Sequence, residues 1–320
     1  MSSALVVRPL AVVGILMSLS VRDTGCGAQS EPADATLFST ADVAARIGRP
    51  DCQIVDVRDS NAFNGWILGR EQRGGHIRGA MNLALRWIDE HPQAALRLVE
   101  SNGLEKKQVV IYGNSVDEAR RMARWLRTEK QLSSNQLFIY ADGVEAWSRR
   151  ASLPMDRLPR YEKLVPPRWL QQLTAAQASR PHRIVEVAWR KRKRYEAGHL
   201  PGAVYLDTDE FESLPLWNIV PRERIASMLL SLGITKDTLV VVYGRDATAA
   251  ARAAVVMMHA GVADVRLLNG GYQAWLDAGL PVDHGHVPRR LLAPTSQLDL
   301  SGSSILPRRS KCWQPDKDDW

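Results

Sequence analysis

The same series of features runs through this chain twice, and no other property of the sequence restricts its fold as tightly. The first copy reads Ile54–Asp59 (IVDVRD), Gly74–Leu83 (GGHIRGAMNL), Val109–Gly113 (VVIYG) and Leu137–Trp147 (LFIYADGVEAW). The second reads Ile184–Trp189 (IVEVAW), Ala197–Leu206 (AGHLPGAVYL), Leu239–Gly244 (LVVVYG) and Val265–Trp275 (VRLLNGGYQAW). Each copy opens on a related segment, Leu37–Ile47 and Leu164–Leu173. An offset of roughly 130 residues is too long for a solenoid repeat and means duplicated domains. A length of 320 residues holds two such domains.

Val109–Tyr112 and Leu239–Tyr243 are continuous apolar runs that end at glycine, the pattern of strands buried on both faces. Helical patterns follow over Val116–Arg127 and Ala247–Ala260. Strand, helix, strand in that order calls for right-handed crossovers. The expected class is therefore α/β: two tandem domains, each a mainly parallel sheet covered by helices on both faces. Their expected limits are 35–150 and 160–285, joined through Ser148–Lys163, with a disordered tail over 286–320. Ligands of such sheets gather beyond the carboxyl ends of the strands. The residues to inspect are thus Gly113, Asn114 and Ser115 after the first strand, and Gly244, Arg245 and Asp246 after the second.

Composition removes several function classes. Hydrophobic residues at 45% and charged residues at 24% exclude collagen-like and wholly disordered chains. The net charge of +7 is spread out, apart from Arg190–Arg194 (RKRKR). That run comes with no evident groove or aromatic platform, so no nucleic-acid partner is expected. Three cysteines, Cys26, Cys52 and Cys312, exclude a disulfide scaffold and paired-ligand zinc sites. Leu10–Val21 is one apolar run behind Arg8, short of the roughly 20 residues a membrane-spanning helix needs. It reads as the core of a signal peptide over residues 1–28, cut after Ala28. No stable membrane span is expected, and the location is periplasmic or exported.

Asp56-Val57-Arg58, Gly75–Ala80 with Gly198–Ala203, the two strand-ending loops and Asn269–Trp275 form a series that resembles the rhodanese sulfurtransferases. Phe63–Trp66, Glu212–Asn218 (ESLPLWN), and Tyr243–Asp246 with Ala249–Arg252 narrow it to an exported branch with three such domains. In that branch the third domain carries the active cysteine, and this chain stops where the linker to that domain would begin. The resemblance implies a shortened relative. It also implies a chemistry in which a cysteine thiolate takes sulfane sulfur from a donor such as thiosulfate and becomes a persulfide. Such a thiolate needs a ring of backbone N–H groups at a helix N-terminus and nearby positive charge.

The cysteine position implied by the family is Gly113 in the first copy and Gly244 in the second. The catalytic set is therefore expected to be empty. Ser115 and Glu118 read as a capping box, and Asp246 as a cap of the second helix. Arg245 and Arg252 remain as candidate contacts for a thiosulfate-like anion, bound weakly at most. Cys52 precedes the first strand, at the end away from the ligand edge, and reads as a structural thiol. Cys312 lies beside Lys311 in the tail. His76 and His199 fall at matching positions without carboxylate or cysteine companions, so they read as structural and no metal is expected. Asp56 and Arg58 should form a scaffold ion pair, a pattern the second copy breaks with Glu186 and Ala188. A phosphatase reading also fails for want of a cysteine nucleophile.

The expectation is a non-catalytic binding or scaffold pair with no cofactor, whose partner is a sulfur-carrier or catalytic protein. The competing reading is a thiosulfate sulfurtransferase that works through a persulfide on another cysteine or on a separate catalytic chain. A non-functional truncation product is the third.

Overall fold

The structure is a computed structural model that describes residues 35–175 and 181–289. The expected signal segment, the tail beyond residue 289, Cys26 and Cys312 lie outside the described residues. In the first domain the main sheet is built from β1 (Thr36–Phe38), β2 (Cys52–Asp56), β3 (Met81–Asn82), β4 (Gln108–Tyr112) and β5 (Leu137–Tyr140). Their order is β1-β5-β4-β2-β3, and every pairing is parallel. The second domain repeats this with β6 (Leu164–Val165), β7 (His182–Ala188), β8 (Val204–Asp207), β9 (Glu212–Ser213), β10 (Asn218–Ile219), β11 (Leu239–Tyr243) and β12 (Asp264–Leu268). There the sheet order is β8-β7-β11-β12-β6, again all parallel, while β9 and β10 form a separate antiparallel hairpin. This is the tandem α/β architecture that the repeats imply.

The central strands β4 and β11 are central because they are the most apolar. Val109, Val110 and Ile111, like Val240, Val241 and Val242, are fully buried and feed alternate side chains into cores on opposite faces of the sheet. Each central strand runs into the helix that follows it, α1 (Val116–Lys130) or α4 (Ala247–His259). α1 extends a turn beyond the apolar pattern because its last residues are held by charge: Lys130 reaches Glu100 and Glu105. The closing motifs form α2 (Gly143–Arg149) and α5 (Gly271–Asp277), which bury Trp147 and Trp275. Between α2 and α4 in the chain lies the short helix α3 (Arg192–Glu196).

The segment between the repeats is less of a free linker than its prolines suggest. Met155 and Asp156 pair antiparallel with Ile77 and His76, which returns the chain to the first domain before it crosses to β6. The crossing is anchored by Trp66, whose indole N–H donates to the Leu164 carbonyl at 2.8 Å. Its ring packs on the core beneath β6 and α5 and stands 6.0 Å from the Trp169 ring.

Candidate functional site

Three residues separate each central strand from its helix, and in both domains they are bound up in local hydrogen bonds. In the first loop Ser115 Oγ accepts from the Glu118 N–H at 3.2 Å. Glu118 turns back one residue further than a capping box would, accepting from the Asn114 N–H at 2.7 Å rather than from that of Ser115. In the second loop Asp246 accepts from the Thr248 N–H at 2.8 Å, capping α4 as its position suggests. One carboxylate in each loop therefore takes a backbone N–H near the helix start, that of Asn114 in the first and of Thr248 in the second, where an anion would otherwise be stabilised.

The two glycines are held just as tightly. The Gly244 carbonyl accepts from the Tyr272 N–H at 3.1 Å, at the start of α5. A Cβ on Gly244 would stand 2.7 Å from the Asp246 carbonyl oxygen and 2.9 Å from that of Val187. On Gly113 it would stand 2.5 Å from a Glu118 carboxylate oxygen and 2.9 Å from a Val57 methyl. The clash at Gly244 is with backbone, which cannot swing aside as a side chain can. That loop has closed around the absence of a side chain.

Beneath each loop lies a buried polar unit. In the first domain Asp56 is fully buried and forms a bidentate pair with Arg58, with Arg58 Nη2 to Asp56 Oδ2 at 2.6 Å. Arg58 also donates to the Gly75 carbonyl at 2.6 Å and faces Glu71 at 3.6 Å. The Tyr112 hydroxyl donates to Asp56 and accepts from the Ile77 N–H. Burial works against the charge on Arg58, but Asp56 outweighs it with help from Tyr112 and Glu71, and the guanidinium stays protonated.

The second domain builds the same unit from different parts of the chain. Glu186 takes the place of Asp56, and Tyr243 donates to it at 2.6 Å while accepting from the Leu200 N–H. Position 188, where Arg58 would recur, is alanine. The guanidinium comes instead from Arg245, in the loop between β11 and α4. It meets Glu186 at 3.3 Å, donates to the Gly198 carbonyl at 2.6 Å and stacks 3.6 Å from the Tyr272 ring centre. Gly198 is the counterpart of Gly75, so Arg245, from the loop after the adjacent strand β11, makes the contacts that Arg58 makes in the first domain. Burial raises the Glu186 carboxyl above its ordinary value despite the pull of Tyr243 and Arg245.

The second candidate anion contact, Arg252, pairs with Glu212 at 2.8 Å and donates to the Trp217 carbonyl. Both arginines therefore carry carboxylate partners. His76 and His199 each place Nδ1 on a backbone carbonyl, of Phe63 and of Tyr195, which makes Nδ1 the donor. Each ring also stacks on the aromatic residue whose carbonyl it meets. The two imidazoles sit at short antiparallel pairings, His76 with Asp156 and His199 with Asp283, and no group of three metal-ligating side chains occurs among the described residues. Cys52 is buried at the start of β2, and burial raises its thiol above the ordinary value despite Arg46. It is a thiol at neutral pH, a poor nucleophile.

A cleft of about 720 Å³ opens between the domains. Asn61, Asn82, Arg86 and Trp87 line it from the first domain, Arg168 and Asn269 from the second. Asn269 donates to the Asn61 side-chain oxygen at 2.9 Å, and Arg86 meets Asp277 at 3.3 Å, so the walls are tied together by polar contacts. The sequence offered no sign of this cleft, because its residues come from short helices and strand ends scattered through both repeats.

The model of the rhodanese-like domain matches residues 39–150 and again 167–278. The chain belongs to the rhodanese-like family. Among curated proteins it is 38% identical over 242 residues to thiosulfate sulfurtransferase YnjE of Escherichia coli K12, a match that spans 73% of this chain and 54% of that protein. It is also 38% identical over 90 residues to the sulfur carrier protein TtuD of Thermus thermophilus, across 28% of this chain and 32% of that one. Among solved structures it is similar to wild-type EanB, with a TM-score of 0.73 and 33% identity over 81% of this chain and 64% of that one. The anaerobic ergothioneine biosynthesis enzyme of Chlorobium limicola, bound to trimethyl histidine, gives a TM-score of 0.74 and 32% identity at similar coverage. This rhodanese pair thus spans about half the length of the curated relative that it matches over most of its own.

Proposed function

We propose that this chain is a non-catalytic pair of rhodanese-like domains that binds a sulfur-carrying or catalytic protein outside the cytoplasm. The observation that carries this reading is the position of Arg245. In the loop that would bear the nucleophile, the residue after Gly244 has left the loop edge to complete the ion pair of Glu186. A loop tied down in this way has no cysteine, and the Asp246 carboxylate at the start of its helix opposes the binding of an anion there. The partner class follows from the relatives, one a thiosulfate sulfurtransferase and another a sulfur carrier. The cleft between the domains is where a small polar group of such a partner would fit.

The test is intact-mass analysis of the reduced protein after incubation with thiosulfate, under conditions that load an active rhodanese. The mass is expected to stay unchanged. A gain of one sulfur that maps to Cys52 and disappears in Cys52→Ser would replace this reading with that of a sulfurtransferase using a displaced thiol.

A further inference from the structure

Two sequence motifs are left unused by the loops and the cleft: the basic run Arg190–Arg194 and the segment Glu212–Asn218. The fold brings them together. The hairpin of β9 and β10 is only two residues deep on each side, and Leu214-Pro215-Leu216-Trp217 form its tip. Leu216 is 75% exposed and Leu214 60%, the two barest large apolar side chains among the described residues. Ile219, beside the tip, and Trp189, which precedes the basic run, are each nearly half exposed. The rings of Trp189 and Trp217 meet edge to face at 5.4 Å, which joins the hairpin to the basic run in one surface.

The charges around this surface are unbalanced. Lys191, Arg192, Lys193 and Arg194 are all exposed, and none has a carboxylate partner among the described residues. Three neighbouring acids are already engaged, Asp209 with Arg190, Glu212 with Arg252 and Glu210 with Arg289, which leaves Glu196 at the end of α3 against the four cations. The result is an apolar tip with two indoles at its base and four cations alongside, of which Arg192 lies over the Tyr205 ring at 5.4 Å.

We infer that this surface docks on an anionic lipid bilayer, with the hairpin tip entering the headgroup boundary and the cations resting on lipid phosphates. A leucine that is three-quarters bare sits on convex ground. Protein hot spots occupy packed, desolvated pockets in a complementary partner, whereas a bilayer deforms around a convex apolar point and needs no matching shape. Tryptophan is favoured at headgroup depth, and clustered Lys and Arg add attraction to anionic lipid. No helix among the described residues is long and apolar enough to cross a membrane, so the contact is with a surface. This inference does not depend on the catalytic standing of the loops.

The full chain would be sedimented with vesicles of phosphatidylcholine alone and of phosphatidylcholine mixed with phosphatidylglycerol. Binding is expected to favour the mixed vesicles and to fall as salt rises. Leu214→Ser with Leu216→Ser is expected to weaken it about tenfold, as the loss of two inserted aliphatic side chains should. Replacing Lys191, Arg192, Lys193 and Arg194 by Gln should abolish the lipid preference. All six side chains are exposed, and an unchanged thermal melt would show that each variant folds. Equal binding by the tip variant, or indifference to phosphatidylglycerol, would overturn the inference, since another part of the chain would then hold the vesicle. Binding of polyglutamate, or self-association, that needs the same residues while vesicles are ignored would also overturn it.

Discussion

At the scale of single residues, the difference between the two domains comes down to where one guanidinium is anchored. Arg58 stands two positions after Asp56, just beyond the end of the same strand. Arg245 reaches Glu186 from 59 residues further along the chain. Removing the Arg245 side chain leaves a buried carboxylate without its cation, so Arg245→Ala should destabilise the protein by about 2–3 kcal/mol. Adding Ala188→Arg, which rebuilds the first domain's arrangement, should recover part of that loss in urea denaturation. A failure to recover would mean that the two units are not equivalent. Gly244→Cys should not create an active rhodanese, because its Cβ meets two backbone carbonyls. The expected result is no thiosulfate sulfurtransferase activity and a stability loss of about 1–3 kcal/mol from overpacking.

At the scale of elements, a carboxylate on β12 ties the crossing segment down. Asp264 accepts from Lys163 at 2.8 Å, just before β6, and from Arg266 at 3.1 Å. Burial works against this carboxylate, but the two cations outweigh it and hold it well below the ordinary value of 3.8. A group whose folded-state value is depressed contributes stability that is complete above its unfolded value and fades as pH falls below it. Denaturation curves taken between about pH 7 and pH 3 should therefore show an acid-side loss that Asp264→Asn reduces. The elements themselves were largely legible in the sequence. The apolar runs ending at Tyr112 and Tyr243 are the central strands, and Asp246 is the cap its position implies, because strand burial and helix capping are local signals. The Ser115–Glu118 box was legible only in part, since Glu118 shifts to the Asn114 N–H. The role of Arg245 was hidden because its partner is distant in sequence. The missing arginine at position 188 was the one trace, and it could be read only by comparing the copies.

At the scale of the whole molecule, the contacts between the domains include the Trp66 indole, the Asn61–Asn269 hydrogen bond and the Arg86–Asp277 pair. Truncating this partly buried indole removes both its packing on the second domain and its hydrogen bond to Leu164, so Trp66→Ala should cost about 2–4 kcal/mol. If the domains unfold as one unit through this contact, scanning calorimetry should show the single transition of the parent chain separating into two. A single transition that merely moves to lower temperature would place the coupling elsewhere, at the Asn61–Asn269 and Arg86–Asp277 contacts. The placement of Arg245 also couples positions that lie far apart in the chain. With Arg245 completing the Glu186 pair, a substitution that rebuilds the loop after β11 disturbs the support beneath it. An arginine at position 188 would have to take over that pair first, a change that brings nothing while Arg245 is still in place. The pair acts as a latch: while it is closed, the loop above it can be rebuilt only in a fixed order of steps.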